Sequence, residues 1–238
     1  MEKLNPVHVE AGGKNPNVVF PDADTETALE STLTSIFRFN AGQVCSAGDR
    51  LLLHEDCDAF LDRLVSAVAE LTVGPGTEDP DVAPIVSQAQ LDRVREYVEI
   101  GRAEAGEPIV GGEVLDREGY FLRPTIFDDV PRDARIAQEE IFGPVLTVFR
   151  FADEREAIEL ANDTEYGLVA GVHTSDVGRA LRFAKRVDAG QIYVNEWFAG
   201  GVETPFGGYG MSGFGREKGL EALDNFTQTK NVCLNVDP

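Results

Sequence analysis

Three cysteines, three histidines, five lysines and one tryptophan in 238 residues leave several chemistries without material. Cys45, Cys57 and Cys233 are odd in number and form no close pair, which argues against a disulfide framework or a CxxC metal site and for a reducing cytoplasm. His8, His54 and His173 lie far apart, and none stands at metal-ligand spacing to a cysteine or to another histidine, so no metal site is expected. Nor is any histidine set beside a cysteine nucleophile. No apolar run approaches the about 20 residues of a membrane helix, and the opening MEKLNPVHVE has no export-signal core. Positive charge is scarce as well: 21 basic residues face 42 acidic ones, and the net charge of −21 repels nucleic acid and anionic lipid. That balance, with only Lys3, Lys14, Lys185, Lys218 and Lys230 as lysines, gives the expectation of an acidic protein suited to a salt-rich cytosol, or simply of a soluble one.

What is present is an alternation of short apolar runs and helical repeats. Residues 17–20 read as a strand, followed by a helix over 25–37 that Asp24 caps. Residues 51–53 read as a second strand. Phe60, Leu64, Val68 and Leu71 fall on one face of the next helix, which GPGTEDPD ends. Leu91, Val94 and Val98 mark another helix, and Gly111-Gly112 a turn. The second half repeats the pattern: strand 145–149, helix 154–161, strand 169–173, helix 177–187, strand 192–195. This order predicts the α/β class, with crossover units and a largely parallel sheet flanked by helices.

Two glycine motifs carry less than their letters suggest. Residues 208–213, GYGMSG, fit GxGxxG, but too little chain follows to build a dinucleotide-binding unit, so a flexible or closely packed loop is expected. In AGGKN, residues 11–15, Asn15 stands where a phosphate loop needs Ser or Thr. A sharper signal is FNAGQVCSAGDR, residues 39–50, which holds Cys45 among small residues that leave its sulfur little cover. With no histidine assigned to it, Cys45 needs activation by backbone dipoles, a cofactor charge or a carboxylate.

EAGGKNPNVV from Glu10, FNAGQVCSAGDR, QEEIFGPV at residues 138–145 and TPFGGYGMSGFGRE from Thr204 resemble, in order and spacing, the signature blocks of the NAD(P)-dependent aldehyde dehydrogenase superfamily. The resemblance implies that Cys45 is the nucleophile, which the loop leaves open to an aldehyde, and the most reactive of the three thiols. It implies that Glu10 is the general base, poised near neutral pH by partial burial. Glu140 is the carboxylate for the nicotinamide ribose, Phe142 the ring beside the nicotinamide, and Phe206 a wall of the substrate tunnel, with Trp197 and Phe198 near its mouth. Without the resemblance, Trp197 and Phe206 read equally as core aromatics. Two departures stand out: Ala11 replaces the usual Leu, and the stretch at residues 36–40 is one residue longer than is common, implying a bulge before the nucleophile loop.

The chain begins almost at the Glu10 block, so the resemblance also implies that the dinucleotide-binding domain and the asparagine of the oxyanion hole lie outside it. On that reading residues 1–11 are a strand of the dinucleotide-binding domain, 12–219 the catalytic domain, and 220–238 a C-terminal helix and oligomerisation strand. The implied partners are an aldehyde, NAD or NADP, and either further copies or a separate N-terminal half. Three functions stay open: oxidation of an aldehyde with NAD(P), a cofactor-free esterase using Cys45 and Glu10, and an inactive remnant or interaction module.

Overall fold

The computed structural model describes residues 7–236. In chain order the elements are β1 (Val9–Glu10), β2 (Pro16–Val19), α1 (Thr25–Leu33), β3 (Arg50–His54), α2 (Asp58–Glu70), α3 (Gln88–Ala105), β4 (Thr125–Phe127), α4 (Arg135–Gln138), β5 (Val145–Phe151), α5 (Glu154–Ala161), β6 (Tyr166–Gly167), β7 (Val169–His173), α6 (Val177–Arg186), β8 (Gln191–Val194), β9 (Tyr209–Gly210) and β10 (Gly213–Phe214). Six strands form one sheet in the order β4-β5-β3-β2-β7-β8, and every neighbouring pair is parallel. Continuous apolar runs explain why: Leu51, Leu52 and Leu53 are all buried, as are Val145, Leu146 and Val148, so both sheet faces are covered by helices. Two small antiparallel ribbons, β1 with β10 and β6 with β9, stand apart from this sheet.

Helix boundaries follow side-chain caps. Asp24, Ser87, Asp153 and Asp176 each accept the backbone N–H three residues on, opening α1, α3, α5 and α6. The α1 cap is the one the sequence predicts, but α1 stops at Leu33 rather than at residue 37. Thr32 Oγ1 donates to the Ala28 carbonyl and Ser35 Oγ to that of Thr32, bonds that loosen a helix. Residues 34–38 then widen into a π turn, which continues the helical path to the segment before the cysteine loop. Leu71 caps α2 from just outside it, and β4 and α4 are elements the sequence reading did not foresee.

The glycines of GYGMSG lie in the ribbons, where they pack against backbone. A Cβ at Gly213 would fall 2.0 Å from the Val9 carbonyl oxygen, and one at Gly210 2.6 Å from that of Glu165. Residues 221–226 form a 3₁₀ helix rather than an α-helix, and among the described residues 227–236 belong to no strand. Residues 1–6, 237 and 238, at the ends of the segments expected at the two termini, lie outside the described residues. Val9 and Glu10 are paired on one edge, to β10.

Because the strands run one way, the sheet has chemically distinct edges. The segments holding Gly12 to Asn15, Cys45 and Glu140 enter β2, β3 and β5, and so meet at the amino ends of the strands.

Candidate active site

Asn15 ties the segment before β2 to the cysteine loop. Its Nδ2 donates to the carbonyls of Cys45 (2.9 Å) and Ala47 (2.7 Å), and its Oδ1 accepts from Val169 N (3.1 Å). Beside it Asp49 accepts from Asn15 N at 2.9 Å, and its other oxygen lies 2.9 Å from Lys14 Nζ. The lysine is wholly buried, and that burial pushes its pKa down against the pull of Asp49. Gly13 leaves room for the loop, since a Cβ there would lie 2.6 Å from the Cys45 carbonyl oxygen. From the other side Trp197 Nε1 donates to the Ser46 carbonyl at 2.9 Å. The loop is thus held through its carbonyls, which leaves the Cys45 thiol free of structural duty.

Two carboxyls bear on the Cys45 thiol here. Cys45 is partly buried, and burial, followed by the charges of Glu10 and Glu140, raises its pKa, while the backbone N–H groups of Ser46 and Cys45 pull it back. The resting sulfur is a neutral thiol at neutral pH. Glu140 also titrates high, chiefly through burial; its Oε1 accepts from Gly13 N at 3.2 Å. Gly12, at φ +97°, gives it space, because a Cβ there would lie 2.5 Å from Glu140 Oε2. Glu10 is raised by burial and by Glu217, against His8 and Lys218. A carboxyl raised toward neutrality is suited to taking a proton from water.

The aromatic residues named from sequence fall into one cluster. Leu168, Val169, Tyr193 and Trp197 are buried together, with Cys45, Phe198 and Phe206 packed against them. Trp197 is a buried back wall, stacked near Tyr193 (5.2 Å), whereas Phe198 is half-buried and meets Phe39 at 4.5 Å. Burial and the nearby Cys45 push the Tyr193 hydroxyl up to about 12. Phe142 stands apart from this cluster. It has a left-handed backbone, φ +61°, with its carbonyl held by Gln90 Nε2 at 2.8 Å, and it lines a cavity of about 690 Å³ with Gln43, Ile85 and Tyr120.

Cys45, Glu10 and Glu140 are therefore brought within electrostatic reach, Trp197, Phe198 and Phe206 are gathered beside the cysteine, and Phe142 faces a separate cavity. Asn15, Asp49 and Tyr193 were missed from sequence. Asn15 sits in the same block as Glu10, and its place two residues past a Gly-Gly pair was a usable signal.

Residues 1–232 match the model of the aldehyde dehydrogenase family. Hydroxyisobutyraldehyde dehydrogenase of Mycolicibacterium austroafricanum is 47% identical over 236 residues, covering 98% of this chain and 47% of that protein. Betaine aldehyde dehydrogenase of Bacillus subtilis is 43% identical over 238 residues, covering 98% and 48%. Among solved structures, betaine aldehyde dehydrogenase from Staphylococcus aureus in complex with NAD+ superposes with a TM-score of 0.88 at 40% identity, over 91% of this chain and 44% of that one. The aldehyde dehydrogenase KauB from Pseudomonas aeruginosa gives 0.90 at 42% identity, over 94% and 46%. The chain spans about half the length of the relatives it matches.

Proposed function

The chain belongs to the aldehyde dehydrogenase family, and from that premise we propose that it carries the acyl-transfer chemistry of an NAD(P)-dependent aldehyde oxidation, with Cys45 as nucleophile and Glu10 as general base. The observation that carries this reading is the meeting of a thiol freed from structural bonds with two carboxyls raised by burial, both within electrostatic reach of the sulfur.

In the first step the Cys45 thiol loses its proton to solvent water, and the thiolate sulfur bonds to the aldehyde carbon as the carbonyl π pair moves to oxygen. The Ser46 and Cys45 N–H groups, which already favour negative charge at this sulfur, stabilise the anionic adduct. A nicotinamide dinucleotide, when bound, supplies the hydride acceptor that lets this adduct become a thioester. Glu140 fits that group: the Gly12–Gly13 turn leaves its carboxylate room, Gly13 N engages one oxygen, and acceptor lone pairs remain for a ribose diol. Glu10 then takes a proton from water as the water oxygen attacks the acyl carbon. The C–S bond breaks, releasing a carboxylic acid and the Cys45 thiolate. Trp197, Phe198 and Phe206 provide an apolar wall beside the acyl group.

Hydrolysis of an activated ester tests the assignment without a nicotinamide. Cys45→Ser should abolish the acylation burst. Glu10→Gln should keep the burst, lower steady turnover about 100-fold or more, and accumulate an acyl adduct on Cys45 visible by mass spectrometry. Turnover that survives in Cys45→Ala removes the proposal.

A further inference from the structure

His8 and Glu10 flank Val9 in extended backbone, so their side chains leave the chain on the same side. Opposite them, Glu217 is fixed by a two-way backbone bridge to Phe206, with N-to-O distances of 2.6 and 2.7 Å. One ligand atom from each of His8, Glu10 and Glu217 lies within 4.8 Å of the others. His8 Nε2 is 3.8 Å from Glu10 Oε1, and His8 Nδ1 is 3.9 Å from Glu217 Oε1. Both separations are too long for hydrogen bonds, and because they involve the ring's two different nitrogens, a single ion about 2 Å from its ligands takes only one of them. His8 Nε2 is also shut off from solvent with no hydrogen-bond partner. The ring is seated over Gly215, where a Cβ would lie 2.3 Å from His8 Cδ2.

We propose that His8, Glu10 and Glu217 form a binding site for a divalent transition-metal cation such as zinc, reached from the adjoining cavity of about 520 Å³ that His8 and Glu217 line. One imidazole and two carboxylates are a donor set that zinc accepts. Neither neighbouring cation forms an ion pair with Glu10 or Glu217 among the described residues, although the charge of Lys218 bears on Glu10 at longer range. Arg216 donates to the carbonyls of Gly208 and Gly215 and lies over the Tyr209 ring, while Lys218 Nζ sits 5.4 Å from the centre of the Phe206 ring. Among the described residues the ion-pair partner of both Glu10 and Glu217 is His8 alone. A doubly charged ion relieves the repulsion between the two carboxylates. It also occupies the oxygen that would otherwise take a proton from water, so the bound ion halts deacylation; this consequence, unlike the binding, rests on the function proposed above.

The test is titration of the full chain with zinc against a chromophoric chelator, beside the visible spectrum of the cobalt(II) form. One equivalent should bind. His8→Ala and Glu217→Gln should each weaken binding about 10-fold or more, Cys45→Ser should leave it unchanged, and the cobalt form should lack the near-ultraviolet band of a thiolate ligand. Glu217→Gln keeps the backbone bridge, and matching circular dichroism separates lost ligation from lost fold. Wild-type affinity in both His8→Ala and Glu217→Gln, no binding by the wild type, or a thiolate band would overturn the site. Ester turnover reports separately: zinc that binds as described in a chain without Cys45-dependent turnover leaves the site standing and removes the proposed function.

Discussion

Asn15 and His173 are two buried polar side chains with opposite fates. Asn15 satisfies two carbonyls and one N–H across three segments. Asn15→Ala should lower stability by about 2–3 kcal/mol, because buried backbone groups lose their partners, and should slow ester turnover; Asn15→Asp should not rescue it, since a carboxylate cannot donate to the Cys45 and Ala47 carbonyls. Urea titration and turnover on both variants check this. His173, in β7, is buried with neither ring nitrogen hydrogen-bonded, and burial lowers its pKa from 6.5 to about 4. The unfolded chain therefore takes up this proton first: stability is whole above pH 6.5 and falls as the pH drops from there toward 4, by roughly 3 kcal/mol in all. The urea midpoint should fall over that window, and less so in His173→Asn. Thiol reactivity is also a residue-scale property, and here the expectation from sequence needs amending. Cys233 is exposed, whereas Cys45 is half-buried among carboxylates, so a general alkylating agent should label Cys233 before Cys45. On the proposed function, what sets Cys45 apart is acylation.

At the scale of elements, the ribbon of β1 and β10 carries Glu10, and Gly213 permits the pairing. With φ at +115° and the Val9 oxygen 2.0 Å from any added Cβ, Gly213→Ala cannot keep this register. It should reduce ester turnover toward the level of Glu10→Gln while the six-stranded sheet, and so the circular dichroism, stays intact; unchanged turnover would show that Glu10 does not depend on the ribbon. The elements legible in sequence were those whose apolar pattern ran long enough to show a period: α5 and β7 were bounded correctly, and β3 and β5 were found slightly short. Thr125–Phe127 is only three residues between Pro124 and Asp128, too brief to show a period. The end of α1 depended on Thr32 and Ser35 turning their hydroxyls back on the helix, a choice that composition does not reveal. For the site, Cys45, Glu10 and Glu140 came from motif blocks. Asn15 was missed because AGGKN was weighed as a phosphate loop, and the cluster at His8 because Glu217 comes to it only through the fold.

The whole molecule combines a net charge of −21 with an uncovered apolar end. Leu220, Phe226, Val232, Leu234 and Val236 are each at least 74% exposed. Apolar area of this kind favours contact between copies, while like charge opposes it over a Debye length that shrinks from about 10 Å at 0.1 M salt to about 3 Å at 1 M. The mass measured by light scattering at micromolar concentration should therefore rise with salt, and Phe226→Ser with Leu234→Ser should suppress the rise. A monomer at both salt levels would mean that the tail folds onto its own chain.

The resting state of Cys45 has a consequence for durability. Peroxide attacks thiolates far faster than thiols, and burial together with two neighbouring carboxylates keeps this sulfur protonated until a substrate is engaged. The two carboxylates thus shield the proposed nucleophile from sulfenic acid formation. Replacing both, in Glu10→Gln with Glu140→Gln, should make Cys45 oxidise faster in dilute hydrogen peroxide, as read by peptide mass.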